Sequence, residues 1–136
     1  LFLAAAWLLE SVIPIALPQN IWTDYFGWGL IDAGVLLMLW AGLLMLWRKT
    51  TVNPYGKPAR LLEEGPFRYS RNPIYLADSL IYCGIALLWG SLWPWLLFPA
   101  VIYCMQRGVI VHEERLLAEL FGDDYRAYRG RVRRWL

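Results

Sequence analysis

The sequence predicts an all-α integral membrane protein, a single domain over residues 1–136 with about four transmembrane helices and a C-terminal amphipathic helical tail lying in the interface. Three observations lead there. Hydrophobic residues make up 59% of the chain and tryptophan occurs nine times. A soluble domain of this size does not tolerate so little polar surface, so the bilayer is the better solvent. All thirteen Lys and Arg fall in two blocks, residues 48–71 and 107–134, although the net charge is only +2. Four apolar segments, finally, are separated by Pro, Gly and polar residues.

The first segment, residues 1–17, is apolar apart from Glu10 and Ser11, and Pro18-Gln19-Asn20 closes it. The second, 26–47, is interrupted only by Asp32 and flanked by Trp22, Trp28 and Trp47, which suit the membrane interface. The third, 74–89, ends at Gly90-Ser91, and Pro94 follows in the turn that leads into the fourth, 93–111. An even number of crossings puts both basic blocks on one side of the membrane, and the positive-inside rule makes that side cytoplasmic. Residues 1–47 then read as anchoring helices and 48–136 as the part that carries a site. The chain opens on Leu1 rather than Met, consistent with a trimmed N-terminus.

Beyond the fourth segment the pattern changes. Glu113, Leu116, Leu117, Leu120 and Phe121 recur at helical spacing, and Gly122 is placed to end that helix. Asp123 can cap a second one, with Tyr125, Tyr128, Val132 and Trp135 on one side and Arg126, Arg129, Arg133 and Arg134 more to the other. Such a helix is expected to lie in the membrane interface.

Several functions are excluded or disfavoured by composition. No basic groove on a soluble fold is present for nucleic acid, and the clustered cations favour an anionic membrane surface or an anionic ligand. A single histidine argues against a His-based metal centre, so no metal is expected. Cys83 and Cys104 lie in apolar segments without metal-ligand spacing and read as buried thiols. Gly27-Trp28-Gly29 mimics a dinucleotide loop, but no strand precedes it.

The chemistry-bearing stretch is Gly65-Pro66-Phe67-Arg68-Tyr69-Ser70-Arg71-Asn72-Pro73-Ile74-Tyr75, a rigid, cationic and aromatic loop at the membrane surface. Asp78 lies one helical turn beyond Tyr75 and can approach the same pocket; its alternative is a polar contact between helices, the reading that also suits Glu10 and Asp32. A second constellation is Arg107, His112, Glu113 and Glu114, in which a regular helix would put Arg107 and Glu114 on one face. Acidic residues oppose the macrodipole at a helix C-terminus unless the helix continues into the tail. Together the two stretches offer arginines for a carboxylate or phosphate, glutamates for an ammonium or vicinal hydroxyls, and tyrosines for a flat ring. A zwitterionic nucleoside amino acid such as S-adenosyl-L-methionine needs all three, and a lipid headgroup fits them as well.

Thr50-Thr51-Val52-Asn53-Pro54, the run from Gly65 to Tyr75, Glu113-Glu114-Arg115-Leu116-Leu117, and Phe121-Gly122-Asp123-Asp124-Tyr125 with Tyr128 carry a resemblance. In order and spacing they resemble the isoprenylcysteine carboxyl methyltransferase family, which is related to the phospholipid methyltransferases. The resemblance implies a small integral membrane methyltransferase using S-adenosyl-L-methionine on a lipophilic or prenylated acceptor. It places Arg71, Asn72 and Glu113 at the catalytic centre. Around the cofactor it places Arg68, Arg71, Asn72, Pro73, Tyr75, Glu113 and Glu114, with His112 and Arg107 near them. Asp78 and Tyr69 fall to the substrate pocket. The family pattern commonly has His where Asn72 stands and often Gly where Ala77 stands. Asn hydrogen-bonds but does not hold a proton near neutral pH, so the role implied for Asn72 is hydrogen bonding to the cofactor. Two other functions remain open from the residues: N-methylation of a phospholipid or small amine, and a non-catalytic module that holds anionic lipid.

Overall fold

A computed structural model describes residues 1–50, 58 and 60–136. Thr51, Val52, Asn53, Pro54 and Lys57, which belong to the first motif and the first basic block, lie outside the described residues. Among the described residues five α-helices follow one another: α1 (Phe2–Val12), α2 (Ile21–Trp47), α3 (Pro73–Trp89), α4 (Trp93–Met105) and α5 (Val111–Arg131). A 3-10 turn, Gly65–Arg68, precedes α3, and a π turn, Gln106–Ile110, joins α4 to α5 without a break. No strand occurs among the described residues.

The segment expected over residues 1–17 is helical only through Val12. Pro14 disfavours helical backbone at Ile13, and the chain leaves the helix there with φ of −134°. At about 1.5 Å per residue, the eleven residues of α1 cover about half of a hydrocarbon layer, and the seventeen of α3 somewhat less than all of it. Among the described residues two helices have both the length and the composition to cross a membrane, α2 and the continuous Trp93–Arg131 helix. α2 begins earlier than its apolar run because Asn20 and Thr23 form a capping box: the Asn20 side chain accepts from Thr23 N–H, and Thr23 Oγ1 accepts from Asn20 N–H.

Along the helices that cross the bundle, alanines are fully buried while large apolar side chains face outward, the inverse of a soluble domain. Ala6, Ala41, Ala77 and Ala86 are fully buried, whereas Trp7, Trp28, Leu36, Trp40 and Tyr103 are exposed. Only 11% of the apolar window of α2 is buried, which separates it from the core helix of a soluble protein. Where α2 meets α3, Gly34 and Gly84 allow the backbones to touch. A Cβ on Gly34 would lie 2.8 Å from the carbonyl oxygen of Ala77, and one on Gly84 would lie 2.6 Å from that of Gly27. Close approach of small residues is how helices associate where lipid removes the hydrophobic drive between them.

At one end of the bundle the connectors are stitched together. Ala16 and Ser91 form an isolated antiparallel bridge, flanked by Leu17 N–H to Gly90 O (2.6 Å) and Leu92 N–H to Ile15 O (3.0 Å). Ser91 Oγ donates to Glu10, and Trp93 Nε1 donates to Ile13 O. Glu10 is thus a polar helix contact, while Asp32 lies on the exposed face of α2. The loop before α3 and the start of α5 meet at the other end.

Candidate functional site

Two prolines shape the loop that begins the site. Pro66 in the 3-10 turn and Pro73 at the first turn of α3 are both fully buried, and between them the backbone turns on Tyr69 N–H and Ser70 N–H, each bonded to Pro66 O at 3.2 Å. Proline fixes φ at each end of this loop. α5 supplies the opposite wall. The π turn that precedes it adds a residue to the helix, and this changes which side chains share a face. Arg107, expected beside Glu114, is exposed and lies over the Tyr103 ring at 5.9 Å, while Glu114 turns inward with its side chain 13% exposed.

Across the resulting cleft the two walls are joined by hydrogen bonds and charge. Tyr75 on the first turn of α3 donates to Glu113 Oε1 at 2.9 Å. Arg71 Nη1 lies 3.0 Å from Glu114 Oε1 and donates to Tyr125 Oη at 3.2 Å. Arg134, from the segment after α5, grips the same Glu114 through Nε (2.9 Å) and Nη2 (2.7 Å). Tyr128 Oη donates to Phe67 O at 2.7 Å. The cleft holds about 720 Å³ of empty space, its open mouth included. Arg71, Asn72, Glu113, Glu114, Tyr125 and Tyr128 give it polar lining, and Leu61, Leu62, Leu116 and Leu117 apolar lining.

The charged groups are perturbed by their surroundings. Glu113 lies past the apolar part of its helix, and burial raises its pKa, with the Tyr75 hydrogen bond and the charge of His112 pulling the other way. Burial, and then the Glu114 charge, raise Tyr125; burial raises Tyr128 far above the ordinary tyrosine value. Both tyrosines therefore stay neutral and act as hydrogen-bond donors or acceptors. Arg71 Nε is buried with no hydrogen-bond partner among the described residues. Such an orphaned donor, on a side chain 9% exposed and lining the cleft, is what a carboxylate ligand would satisfy.

Of the residues singled out in the sequence, Arg71, Asn72, Glu113 and Glu114 line the cleft, and Tyr75 is bonded to Glu113. Pro73 is buried beneath them. Arg68 and Tyr69 are exposed on the outer side of the loop, His112 is exposed beside Glu113, and Asp78 is half-buried on α3 away from the cleft lining. Sequence reasoning did not place Tyr125, Tyr128 or Arg134 in the site. The tyrosines were expected to face the membrane interface, yet each is 2% exposed and packed against the loop. Their i,i+3 spacing signals a helix face without saying what covers it. Gly122 breaks the helical geometry with φ of 49°, as its position suggested, and that kink separates the stretch carrying Tyr125 and Tyr128 from the one carrying Glu113 and Glu114.

A family model described as phospholipid methyltransferase matches residues 22–124, well over half of the chain. The chain is 33% identical over 72 residues to a protein-S-isoprenylcysteine O-methyltransferase of Schizosaccharomyces pombe, a match covering 53% of this chain and 30% of that protein. It is 38% identical over 63 residues to an uncharacterized protein of Haemophilus influenzae, covering 46% of this chain and all of that protein. No solved structure matches.

Proposed function

Because this chain belongs to the phospholipid methyltransferase family, we propose that it is an integral membrane enzyme transferring a methyl group from S-adenosyl-L-methionine to a lipophilic acceptor, in the manner of isoprenylcysteine carboxyl O-methylation. The observation that carries this reading is the meeting of Arg71 from the loop with Glu113 and Glu114 from α5 around one cleft. Opposite charges and two tyrosines converge there, as a zwitterionic nucleoside requires.

The residues fit the cofactor. Arg71 would use its unpartnered Nε on the carboxylate, and Glu113 would accept from the ammonium or the ribose hydroxyls. Tyr125 and Tyr128 offer ring faces and polar tips, and Asn72 lines the same wall. When bound, S-adenosyl-L-methionine supplies a methyl group on a sulfonium sulfur, open to in-line attack. A carboxylate acceptor is already ionised at neutral pH, so no residue needs to take a proton from it. What the chain contributes is alignment and dryness: Leu61, Leu62, Leu116 and Leu117 keep water off one side of the cleft. Positioning of this kind contributes up to about 7–11 kcal/mol in well-oriented reactions.

N-methylation of an aminophospholipid or small amine is the second reading; there Glu113, whose pKa burial raises, would take the proton that an ammonium must first lose instead of holding the cofactor. In either case the acceptor's lipid tail would lie in the bilayer and its reactive end in the cleft. The basic loop and tail would face the cytoplasm, with residues 1–47 as anchor. Incubating the purified protein in lipid nanodiscs with methyl-labelled S-adenosyl-L-methionine tests the assignment. The account predicts label on a prenylated cysteine, the second reading predicts label on phosphatidylethanolamine, and a non-catalytic lipid-binding module predicts label on neither.

A further inference from the structure

Asn72 occupies the N-cap position of α3, where an asparagine side chain ordinarily accepts from the first free amides of the helix. Here it caps nothing. Its Nδ2 reaches instead across 62 residues of sequence to donate to Arg134 O at 3.0 Å. Ser70 Oγ donates to the same carbonyl at 3.2 Å, and Arg71 N–H donates to Arg133 O at 3.0 Å. Three consecutive loop residues are thus tied to two consecutive residues of the segment beyond α5. The Arg134 side chain completes the tie through its two-pronged pair with Glu114.

We infer that Arg134 is a positioning residue and that the Arg133–Arg134 segment is a clasp, locking the Ser70–Asn72 loop so that the Arg71 guanidinium points into the cleft. The clasp divides the work of two adjacent glutamates. Glu114, held by Arg71 and Arg134 together, is committed to the protein; Glu113, reached by the Tyr75 hydroxyl, is left to meet a ligand's positive or hydroxyl groups. Arg134 itself is not among the residues lining the cleft. Asn72 then serves the clasp through its amide, a task that needs a donor and no titrating group.

This inference rests on the reading of the cleft as the S-adenosyl-L-methionine site, and its test separates the two. In the full chain, Arg134→Ala, Arg134→Lys and Glu114→Gln are compared with wild type. The readouts are S-adenosylhomocysteine affinity, KM for S-adenosyl-L-methionine against kcat, and hydrogen exchange at the Arg71 amide. Arg134→Ala is expected to weaken affinity and raise KM by about tenfold or more, the worth of a charged hydrogen bond, with kcat changed far less. The Arg71 amide should exchange faster while the α2–α3 crossing keeps its protection. Arg134→Lys should recover part of the loss; Glu114→Gln, which also loses the Arg71 pair, should cost at least as much as Arg134→Ala, and the double variant should be no worse than Glu114→Gln alone. Unchanged exchange at Arg71 in Arg134→Ala, or acceleration that spreads equally through α2 and α3, would overturn the clasp. If Arg71 exchange rises as expected while wild type itself fails to bind S-adenosylhomocysteine, the clasp stands and the cofactor assignment falls.

Discussion

Tyr75 and Glu113 stand 38 residues apart in sequence and on different helices, yet the tyrosine hydroxyl donates to the glutamate carboxylate at 2.9 Å. The bond ties the first turn of α3 to the start of α5. It also makes the protonation of Glu113 sensitive to both walls of the cleft, and so gives the site a pH dependence of predictable sign.

Burial raises the Glu113 pKa above the ordinary glutamate value, and the Tyr75 bond opposes that rise. A carboxyl whose folded pKa is raised contributes stability that is present below its unfolded pKa and lost as pH rises through the folded value. Ligand binding has the opposite sign, since a cationic ammonium wants the ionised form. Lowering the pH should therefore weaken S-adenosylhomocysteine binding at a higher pH than an ordinary glutamate would, while slightly stabilising the ligand-free protein. Tyr75→Phe should move the loss of binding to higher pH still, and Glu113→Gln should remove it. Calorimetric titrations across pH 4–8 check the first, and melting curves without ligand check the second.

The α2–α3 crossing gives a stability prediction with an internal control. A side chain at Gly34 would meet Ala77 O and Ile81, whereas nothing lies within 4 Å of a Cβ on Gly29. Gly34→Val should destabilise by about 1–3 kcal/mol through overpacking. Gly29→Ala should be neutral or stabilising by up to about 1 kcal/mol, since it only relieves the chain entropy of glycine. Thermal unfolding in a single detergent compares them directly, and equal effects would show that the crossing is looser than the backbone contact implies.

Much of this architecture was legible before the structure. Apolar runs located α2, α3 and α4 because a membrane helix repeats its signal at every residue. The end of α1 was missed by several residues, since Pro14 acts on the residue before it while the composition stays apolar through Leu17. The π turn left no trace in residue type, so the face shared by Arg107 and Glu114 was misassigned. Arg71, Glu113 and Glu114 were legible as a group because their charges are out of place beside hydrocarbon. Arg134 was not, being one of four arginines, with Arg126, Arg129 and Arg133, that read as the polar side of an interfacial helix. The carbonyl contacts that distinguish it join positions more than 60 residues apart, where local pattern carries no information.

The stitched end of the bundle and the charged end give a topology prediction. In a background free of Cys83 and Cys104, a cysteine at exposed Asp123 should react with an impermeant thiol reagent from the cytoplasmic face, and one at exposed Gln19 from the opposite face. Reaction of both from the same side would show that the helices between them do not cross as proposed.

The most direct measurement of the account as a whole is a calorimetric titration of the detergent-solubilised full chain with S-adenosylhomocysteine, run on wild type and on Glu113→Ala. The account predicts saturable binding by wild type and its loss in Glu113→Ala, with the ligand-free variant still unfolding cooperatively. Equal affinity in both proteins, or no binding by wild type, would contradict it.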